Sequence, residues 1–277
     1  MLQTELFIKA ASGDLEAIYQ FGKFHVIDPY RIIADIHKGA FFLKKSIAAG
    51  DPRAQFAYAQ LLIYCHECGD DEMEEAETIV KLLKAAGESG NVHAQFLLAD
   101  GYSLKQVHKL DLYPNRSEAL YWWRKCALQG VAKAHYQYAY MLFESNDWDD
   151  RIEGAYWLQT SHLGGHPCAD TEFLDCVKWL APAAEDDAYA AHIMGLAHYH
   201  GTGLLRDAVK AEEFFLQAID QGHSGTLACL GELYWSGHQD GVVSKKAEAI
   251  KLFEAAANKG VPRSRESLKK LKRIYIQ

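Results

Sequence analysis

Cysteine, proline and long apolar runs are all scarce in this 277-residue chain, and each scarcity excludes a class of protein. Six cysteines are far too few for a small disulfide-stapled scaffold. Six prolines and an apolar fraction of 49% exclude collagen-like and disordered chains. The longest apolar stretches, such as 54–65, contain glutamines and fall short of the roughly 18 clean residues that a bilayer span needs. The sequence therefore predicts a globular chain without a membrane span.

Basic charge is also in deficit, with 29 lysines and arginines against 37 aspartates and glutamates. A net charge of −8 argues against non-specific binding to nucleic acid, which requires a basic surface to displace counterions. Residues 1–14 lack the basic patch and uninterrupted apolar core of a secretory signal. We therefore expect a cytoplasmic protein, or one numbered after processing, whose cysteines are free thiols.

A repeat with a usual period of 35 to 40 residues runs through the chain. When a small or polar residue is taken as position zero of each copy, position four is small and position eight is large and apolar in all eight copies, and position nine is small in six. Offsets of four, eight and twelve lie on one stripe of an α-helix, so we predict a helix, termed helix A, whose small residues let another helix approach closely. The residues at position zero are Gly13, Gly50, Gly90, Gly130, Gly165, Asp186, Gly222 and Gly260.

A second helical pattern precedes these position-zero residues. Ala119, Trp122 and Cys126 before Gly130 show its steps of three and four, which indicate a helix, termed helix B, that ends at the glycine. No segment alternates with a period of two, so no sheet is expected. The sequence predicts an all-α stack of about seven antiparallel helix pairs, an α/α solenoid.

These repeats resemble Sel-1-like repeats, which are relatives of the tetratricopeptide repeat. The copy at 230–260 matches best, with Leu230-Gly231-Glu232-Leu233-Tyr234 in helix A, and the resemblance covers essentially the whole chain. It implies a right-handed superhelical solenoid that forms a single domain over 1–277. It implies little about function, because the motif residues are packing residues.

One interval departs from the period. Only 21 residues separate Gly165 from Asp186, too few for a helix pair, although Cys176 and Trp179 match helix B. Helix A is expected there to be missing, truncated or fused, and Pro182 should kink or end the segment. We predict a seam at 165–187.

This seam would divide the solenoid into sub-stacks 1–164 and 188–277.

In tetratricopeptide-like stacks helix A lines the concave surface, and by that resemblance positions 3, 6, 10 and 13 face the groove or its edge. Aromatic residues at these positions are interleaved with single polar groups, a composition typical of protein-binding surfaces. Position six alone is equally consistent with a packing contact between successive A helices. The predicted groove residues are Phe56, Gln60, Phe96, Asp100, Tyr136, Tyr140, His192, Tyr199, Glu232 and Trp235.

Candidate chemistry is limited to one cysteine pair. Cys65-His66-Glu67-Cys68 has the spacing of half a zinc site, but no second pair follows at finger spacing. No zinc helix, phosphate loop or nucleophile elbow is present. We therefore predict no catalytic residue, no metal and no cofactor.

Charge is concentrated in two segments. Seven acids and no lysine or arginine lie in 67–77, whereas 259–273 holds seven basic residues and one acid. A solvated loop and a polar capping helix explain them. The alternative is contact of the basic tail with an acidic partner, with RNA or with lipid headgroups.

The leading hypothesis is a non-catalytic scaffold or adaptor that binds a protein or peptide in its groove, without a small-molecule substrate. One alternative is an immunity or antitoxin-type protein that neutralises a toxin or secreted effector, as some bacterial solenoids resembling this one do. Another is a metal-binding or enzymatic protein built around Cys65 and Cys68.

Overall fold

In a computed structural model, the described residues are 2–27, 34–67, 76–103, 112–237 and 244–275. They form fifteen α-helices and no strand, which confirms the predicted all-α class. None of these helices is both long and apolar enough to cross a bilayer. The helices are α1 (Leu2–Ala11), α2 (Leu15–Ile27), α3 (Ala34–Ala48), α4 (Pro52–Glu67), α5 (Ala76–Glu88), α6 (Val92–Ser103), α7 (Arg116–Leu128), α8 (Ala132–Phe143), α9 (Trp148–Leu163), α10 (Ala169–Ala183), α11 (Ala188–His200), α12 (Ala208–Asp220), α13 (Thr226–Ser236), α14 (Lys246–Asn258) and α15 (Ser264–Tyr275).

Helices A and B alternate as predicted. Helix A of successive copies is α2, α4, α6, α8, α11, α13 and α15, and helix B is α3, α5, α7, α9, α12 and α14. Sequence neighbours pack together, for example α2 on α3, α6 on α7 and α11 on α12. Packing of this kind, helix pair by helix pair, is the organisation of an α-solenoid. The chain divides into two compact units, residues 1–134 and 135–277.

Small residues in helix A make room for large side chains of helix B. At position nine, a Cβ added to Gly22 would lie 2.7 Å from Leu43 Cγ, and one added to Gly231 would lie 2.9 Å from Phe253 Cε2. Because interiors are close-packed, a larger residue would displace the helix B side chain. Position four is buried in every copy, in Ala17, Ala54, Ala94, Ala134, Ala169, Ala190, Thr226 and Ser264.

The turn from helix B to helix A has a common form. Gly130 has a φ of +83°, which L side chains rarely adopt, so glycine is required there. The N–H of Val131 donates to the carbonyl of Cys126, and the N–H of Gly130 donates to that of Ala127. This hydrogen-bonding pattern is a Schellman motif, which satisfies the free carbonyl groups at the end of helix B.

A single helix, α10, replaces a pair in the segment with the short interval. It begins with Ala169 and Phe173, which hold positions four and eight of a helix A, and continues with Cys176 of the helix B pattern. All three side chains are buried, and the helix packs on α9 and α11. One helix thus carries both patterns, which is the fused form among the predicted alternatives.

Proline limits the length of α10. The helix ends at Ala183, one residue after Pro182, as the sequence predicts. The division of the solenoid at 165–187 stays a prediction.

Candidate functional site

Position-six rings of helix A pack against basic or imidazole side chains of the following copy. In residues 1–134 the guanidinium carbon of Arg53 lies 4.4 Å from the centre of the Tyr19 ring. The Phe56 ring stacks on His93, with ring centres 5.9 Å apart. These contacts join α2 to α4 and α4 to α6, so position six links successive A helices.

Phe96 continues this pattern. The ammonium of Lys133 lies 5.0 Å from the centre of the Phe96 ring, and the indole of Trp123 meets the ring edge-on at 5.1 Å. Phe56 and Phe96 are both half-buried. Phe56 and Phe96, both predicted groove residues, are therefore packing residues whose rings are partly accessible.

Tyr136 and Tyr140 lie one turn apart on α8 in residues 135–277. The Tyr136 ring stacks on His166 at 4.1 Å, and its hydroxyl donates to Glu172 Oε1 at 2.5 Å. This hydrogen bond and burial raise the pKa of Tyr136, so the phenol stays protonated. Tyr140 is 54% exposed and available to a partner.

His192 lies in the packed interior, not on the surface of helix A. Its side chain is 6% exposed, and its Nδ1 is 2.9 Å from the hydroxyl of Thr226. The same hydroxyl is 2.7 Å from Nδ1 of His223. Burial lowers the pKa of His192 to about 3, so the imidazole is neutral at physiological pH. The hydroxyl contact joins α11 to α13, again between successive A helices.

Position ten places its side chains on the surface. Gln60 is exposed and Asp100 half-buried in residues 1–134, and Glu232 is exposed in residues 135–277.

Three of the predicted groove residues line one cleft within residues 135–277. The cleft encloses about 510 Å³ and brings together Tyr199 from α11 with Glu232 and Trp235 from α13. Helix α15 supplies much of the remaining wall. The other lining residues are Ser236, Phe253, Ser267, Lys270, Leu271 and Ile274.

The apolar part of this cleft is built on the core. Trp235 and Tyr199 pack partly against the buried cluster around Phe215 and Leu230, which fixes one side of each ring. Ile274 on α15 is 53% exposed. An apolar side chain of a partner would find both aromatic and aliphatic surface here.

The cleft contains two charged side chains of opposite sign, those of Glu232 and Lys270. Although the Glu232 side chain is exposed as a whole, partial burial of its carboxyl raises its pKa. Burial also raises the pKa of Tyr199, and the negative charge of Glu232 adds to the shift. Within the described residues, neither Glu232 nor Lys270 forms an ion pair.

Lys270 is a cleft residue that is absent from the predicted groove, because the basic composition of 259–273 predicts a polar cap. It stands ten residues after Gly260, so extending position ten to the last copy identifies it. The same helix also packs on α14, and Lys272 Nζ pairs with Glu254 Oε1 at 2.5 Å. Helix α15 therefore serves as both an end cap and a wall of the cleft.

The cysteine-pair candidate lies at the edge of what the structure describes. Helix α4 ends at Glu67, while Cys68 and the side chains of 65–67 lie outside the described residues, as do 68–75 of the acidic segment. In the rest of the chain that is described, no group of three or more histidines, cysteines and acids could hold a metal ion.

The described cysteines are free thiols. Burial raises the pKa of Cys126, Cys176 and Cys229 to about 12, so these thiols stay protonated and are poor nucleophiles. Cys168 is exposed.

Comparison with known families places repeats along most of the chain. The model of the Sel1 repeat family matches residues 16–51, 52–77, 92–131, 132–161, 188–223 and 229–261. The fused helix α10 lies in the gap between the fourth and fifth of these matches.

Two curated proteins are similar in sequence. An uncharacterized protein of Neisseria meningitidis, NMB1327, is 25% identical over 248 residues, which is 85% of this chain and 48% of that protein. The chitin synthase regulator SKT5 of Saccharomyces cerevisiae is 27% identical over 213 residues, which is 68% of this chain and 30% of that protein. The chain thus spans less than half the length of the curated relatives it matches.

Two solved structures are also similar to this chain in fold. One is c5321, a protective antigen present in uropathogenic Escherichia coli strains, with 22% identity and a TM-score of 0.45 over 98% of this chain and 59% of that chain. A Sel1 repeat protein from Oxalobacter formigenes has 22% identity and a TM-score of 0.36 over 97% of this chain and 90% of that chain.

Proposed function

Because the chain belongs to the Sel1 repeat family, whose members generally mediate protein–protein interactions, we propose that it is a non-catalytic scaffold that binds a segment of a partner protein on its A helices. The observation that carries this proposal is the cleft that brings together Tyr199, Glu232 and Trp235. No catalytic motif occurs in the sequence, and the buried thiols described above are protonated.

The composition of the A-helix surface supports binding of a protein. Aromatic side chains held on one side by the core, as Trp235 and Tyr199 are, bury large areas at little cost in conformational entropy. The single polar groups between them, such as Glu232 and Asp100, give a partner orientation and selectivity.

The proposal places the protein in the cytoplasm. Free thiols at Cys126, Cys168, Cys176 and Cys229 support this compartment, because cysteines stay reduced there.

Affinity purification with mass spectrometry tests the proposed function. We expect the double variant Tyr140→Ala, Trp235→Ala to lose partners that the wild type captures, because both rings lie on A helices and are accessible. A matched control removes one tyrosine and one tryptophan elsewhere. It is Tyr113→Ala, Trp148→Ala, in which the two side chains are 85% and 42% exposed and lie outside the A helices.

Circular dichroism first establishes that both double variants stay folded. Equal capture of the same partners by the wild type and both variants would contradict binding through the A helices.

A further inference from the structure

We propose that the cleft between α13 and α15 binds a partner segment that carries a basic and an acidic side chain on either side of an apolar one. This inference rests on the proposed function and specifies the chemistry of the partner. The acceptor of the basic group is Glu232, and the donor to the acidic group is Lys270.

Among the described residues, Glu232 is a carboxylate without an ion-pair partner. It lines the cleft beside two aromatic rings, those of Tyr199 and Trp235, and no ion pair with a described residue neutralises it. Removing a carboxylate from water is unfavourable unless a positive charge approaches it. An arginine or lysine side chain would supply that charge. The Trp235 ring already has the ammonium of Lys246 5.7 Å from its centre, so the carboxylate and not the ring is the acceptor for the partner's cation.

Lys270 gives the cleft a second charge of opposite sign. It lines the wall formed by α15, whereas Glu232 lines the wall formed by α13. If only a basic group entered, the ammonium of Lys270 would oppose it. A partner that carries both signs of charge complements both walls.

Apolar surface lies within the same cleft. Leu271 and Ile274 contribute side chains from α15, whereas Phe253 of α14 lines the cleft but is only 2% exposed. In an extended segment every second side chain points to the same face, with a spacing of about 6.6 Å, so an apolar residue two positions from each charged one can reach this surface while the charged groups reach the two walls. An uncharged or uniformly acidic segment would leave Glu232 without a cation.

The probes are synthetic heptapeptides with capped ends. The first is Ala-Arg-Ala-Leu-Ala-Asp-Ala, in which the three side chains share one face of an extended chain. The second replaces arginine by citrulline, which has nearly the same shape without the charge, and the third replaces aspartate by asparagine. Titration into the full-length protein with a ¹⁵N-labelled indole at Trp235 reports binding at the cleft itself. The Trp235→Phe variant assigns this resonance.

We expect the first peptide to shift the Trp235 resonance and to bind about tenfold more tightly than either neutral analogue, since a charge-assisted hydrogen bond contributes about 1.4 kcal/mol or more. Glu232→Gln should abolish the preference for arginine over citrulline and leave the preference for aspartate over asparagine. Lys270→Gln should do the reverse. Both substitutions are on exposed positions, and Glu232→Gln also preserves the shape of the side chain.

The pH dependence has a defined sign. Arginine binding should weaken as the pH falls through the raised pKa of Glu232, because protonation removes the negative charge. The Glu232→Gln variant should lose this dependence.

Equal binding of all three peptides, or no shift of the Trp235 resonance at the highest soluble concentration, would overturn this inference. It would leave the scaffold proposal standing if the Tyr140→Ala, Trp235→Ala variant still lost its partners. If the wild type bound none of the peptides and the Tyr140→Ala, Trp235→Ala variant captured the same partners as the wild type, both this inference and the scaffold proposal would be overturned.

Discussion

At the residue scale, the hydroxyl of Thr226 determines the proton arrangement of two histidines. The hydroxyl has one proton, so it donates to Nδ1 of one imidazole and accepts a proton from Nδ1 of the other. His192 and His223 must therefore be different tautomers. Their ring centres are 4.4 Å apart, and burial lowers the pKa of both. If both rings were protonated, both Nδ1 atoms would donate to the Thr226 hydroxyl. The hydroxyl proton would then have no imidazole to accept it.

We predict that stability decreases as the pH falls below about 6.5, the ordinary pKa of histidine. Because the folded-state pKa of His192 is about 3, the unfolded chain binds more protons between these values. The contribution of His192 is complete above pH 6.5 and is lost towards pH 3, with a slope of up to about 1.4 kcal/mol per pH unit for one group. Asp187 opposes the shift at His223, so the larger effect belongs to His192.

Urea unfolding at pH 7.5, 6.0 and 4.5 measures this slope. His192→Gln, which keeps a polar side chain near Thr226, should show a smaller loss of unfolding free energy over the same range. An identical slope in wild type and variant would contradict the assignment to His192.

The residue type at a repeat position could be predicted from the sequence where the same packing requirement applies in every copy. Position four must be small in every copy because a neighbouring helix packs against it, and it is buried throughout, from Ala17 to Ser264. Position six has a partner in the next copy, and that partner changes from Arg53 to His93 to His166. Spacing within one copy cannot reveal a contact whose other half lies about 35 residues away and varies in type.

At the element scale, helix α11 depends on a side-chain cap. Asp187 Oδ1 accepts the backbone N–H groups of Tyr189 and Ala190, both at 2.8 Å, which satisfies two free donors of the first turn. The sequence does not single out this residue, because the preceding Asp186 is chemically identical and holds position zero.

We predict that Asp187→Ala lowers the unfolding free energy by about 1 kcal/mol, as loss of an N-cap does. Asp186→Ala is the matched control, since it removes the same charge from the neighbouring residue without removing the cap. Urea denaturation of both variants measures the difference. Equal losses would indicate a general charge effect instead of capping.

The fused helix α10 shows why element boundaries were only partly predictable. The register after Gly165 and the helix B pattern at Cys176 were both visible, and Pro182 fixed the end. Spacing alone could not distinguish a missing helix from a fused one, because that outcome depends on whether Phe173 and Cys176 can be buried on one face. They are four and seven residues from Ala169, which places all three on one stripe of α10.

At the scale of the whole molecule, each helix contacts mainly its neighbours, so damage should remain local. Phe253 is 2% exposed on α14 and packs against Gly231 of α13. Leu43 is fully buried on α3 and packs against Gly22 of α2. Leu43 in residues 1–134 and Phe253 in residues 135–277 therefore have equivalent roles, and each can serve as the control for the other.

We predict that Phe253→Ala speeds amide hydrogen exchange in α13, α14 and α15 and leaves α2 and α3 protected. Leu43→Ala should produce the opposite pattern, because each substitution removes about 2 to 5 kcal/mol of local packing. Hydrogen exchange with mass spectrometry resolves these segments. Uniform loss of protection by either variant would indicate a single cooperative core.

The all-helical solenoid followed from the period, but the grouping into 1–134 and 135–277 did not. That boundary falls within α8, where the repeat pattern continues without change. Grouping depends on the sum of long-range contacts, which no single position records.

The contacts between position six and the next copy also bear on how such a chain can be recombined. Tyr19 is matched to the guanidinium of Arg53, and Phe56 to the imidazole of His93. Exchanging two copies would preserve every helix and every turn glycine while separating these partners. The order of the copies is therefore encoded in the chain, and engineered shuffling should keep neighbouring copies together as the unit of exchange.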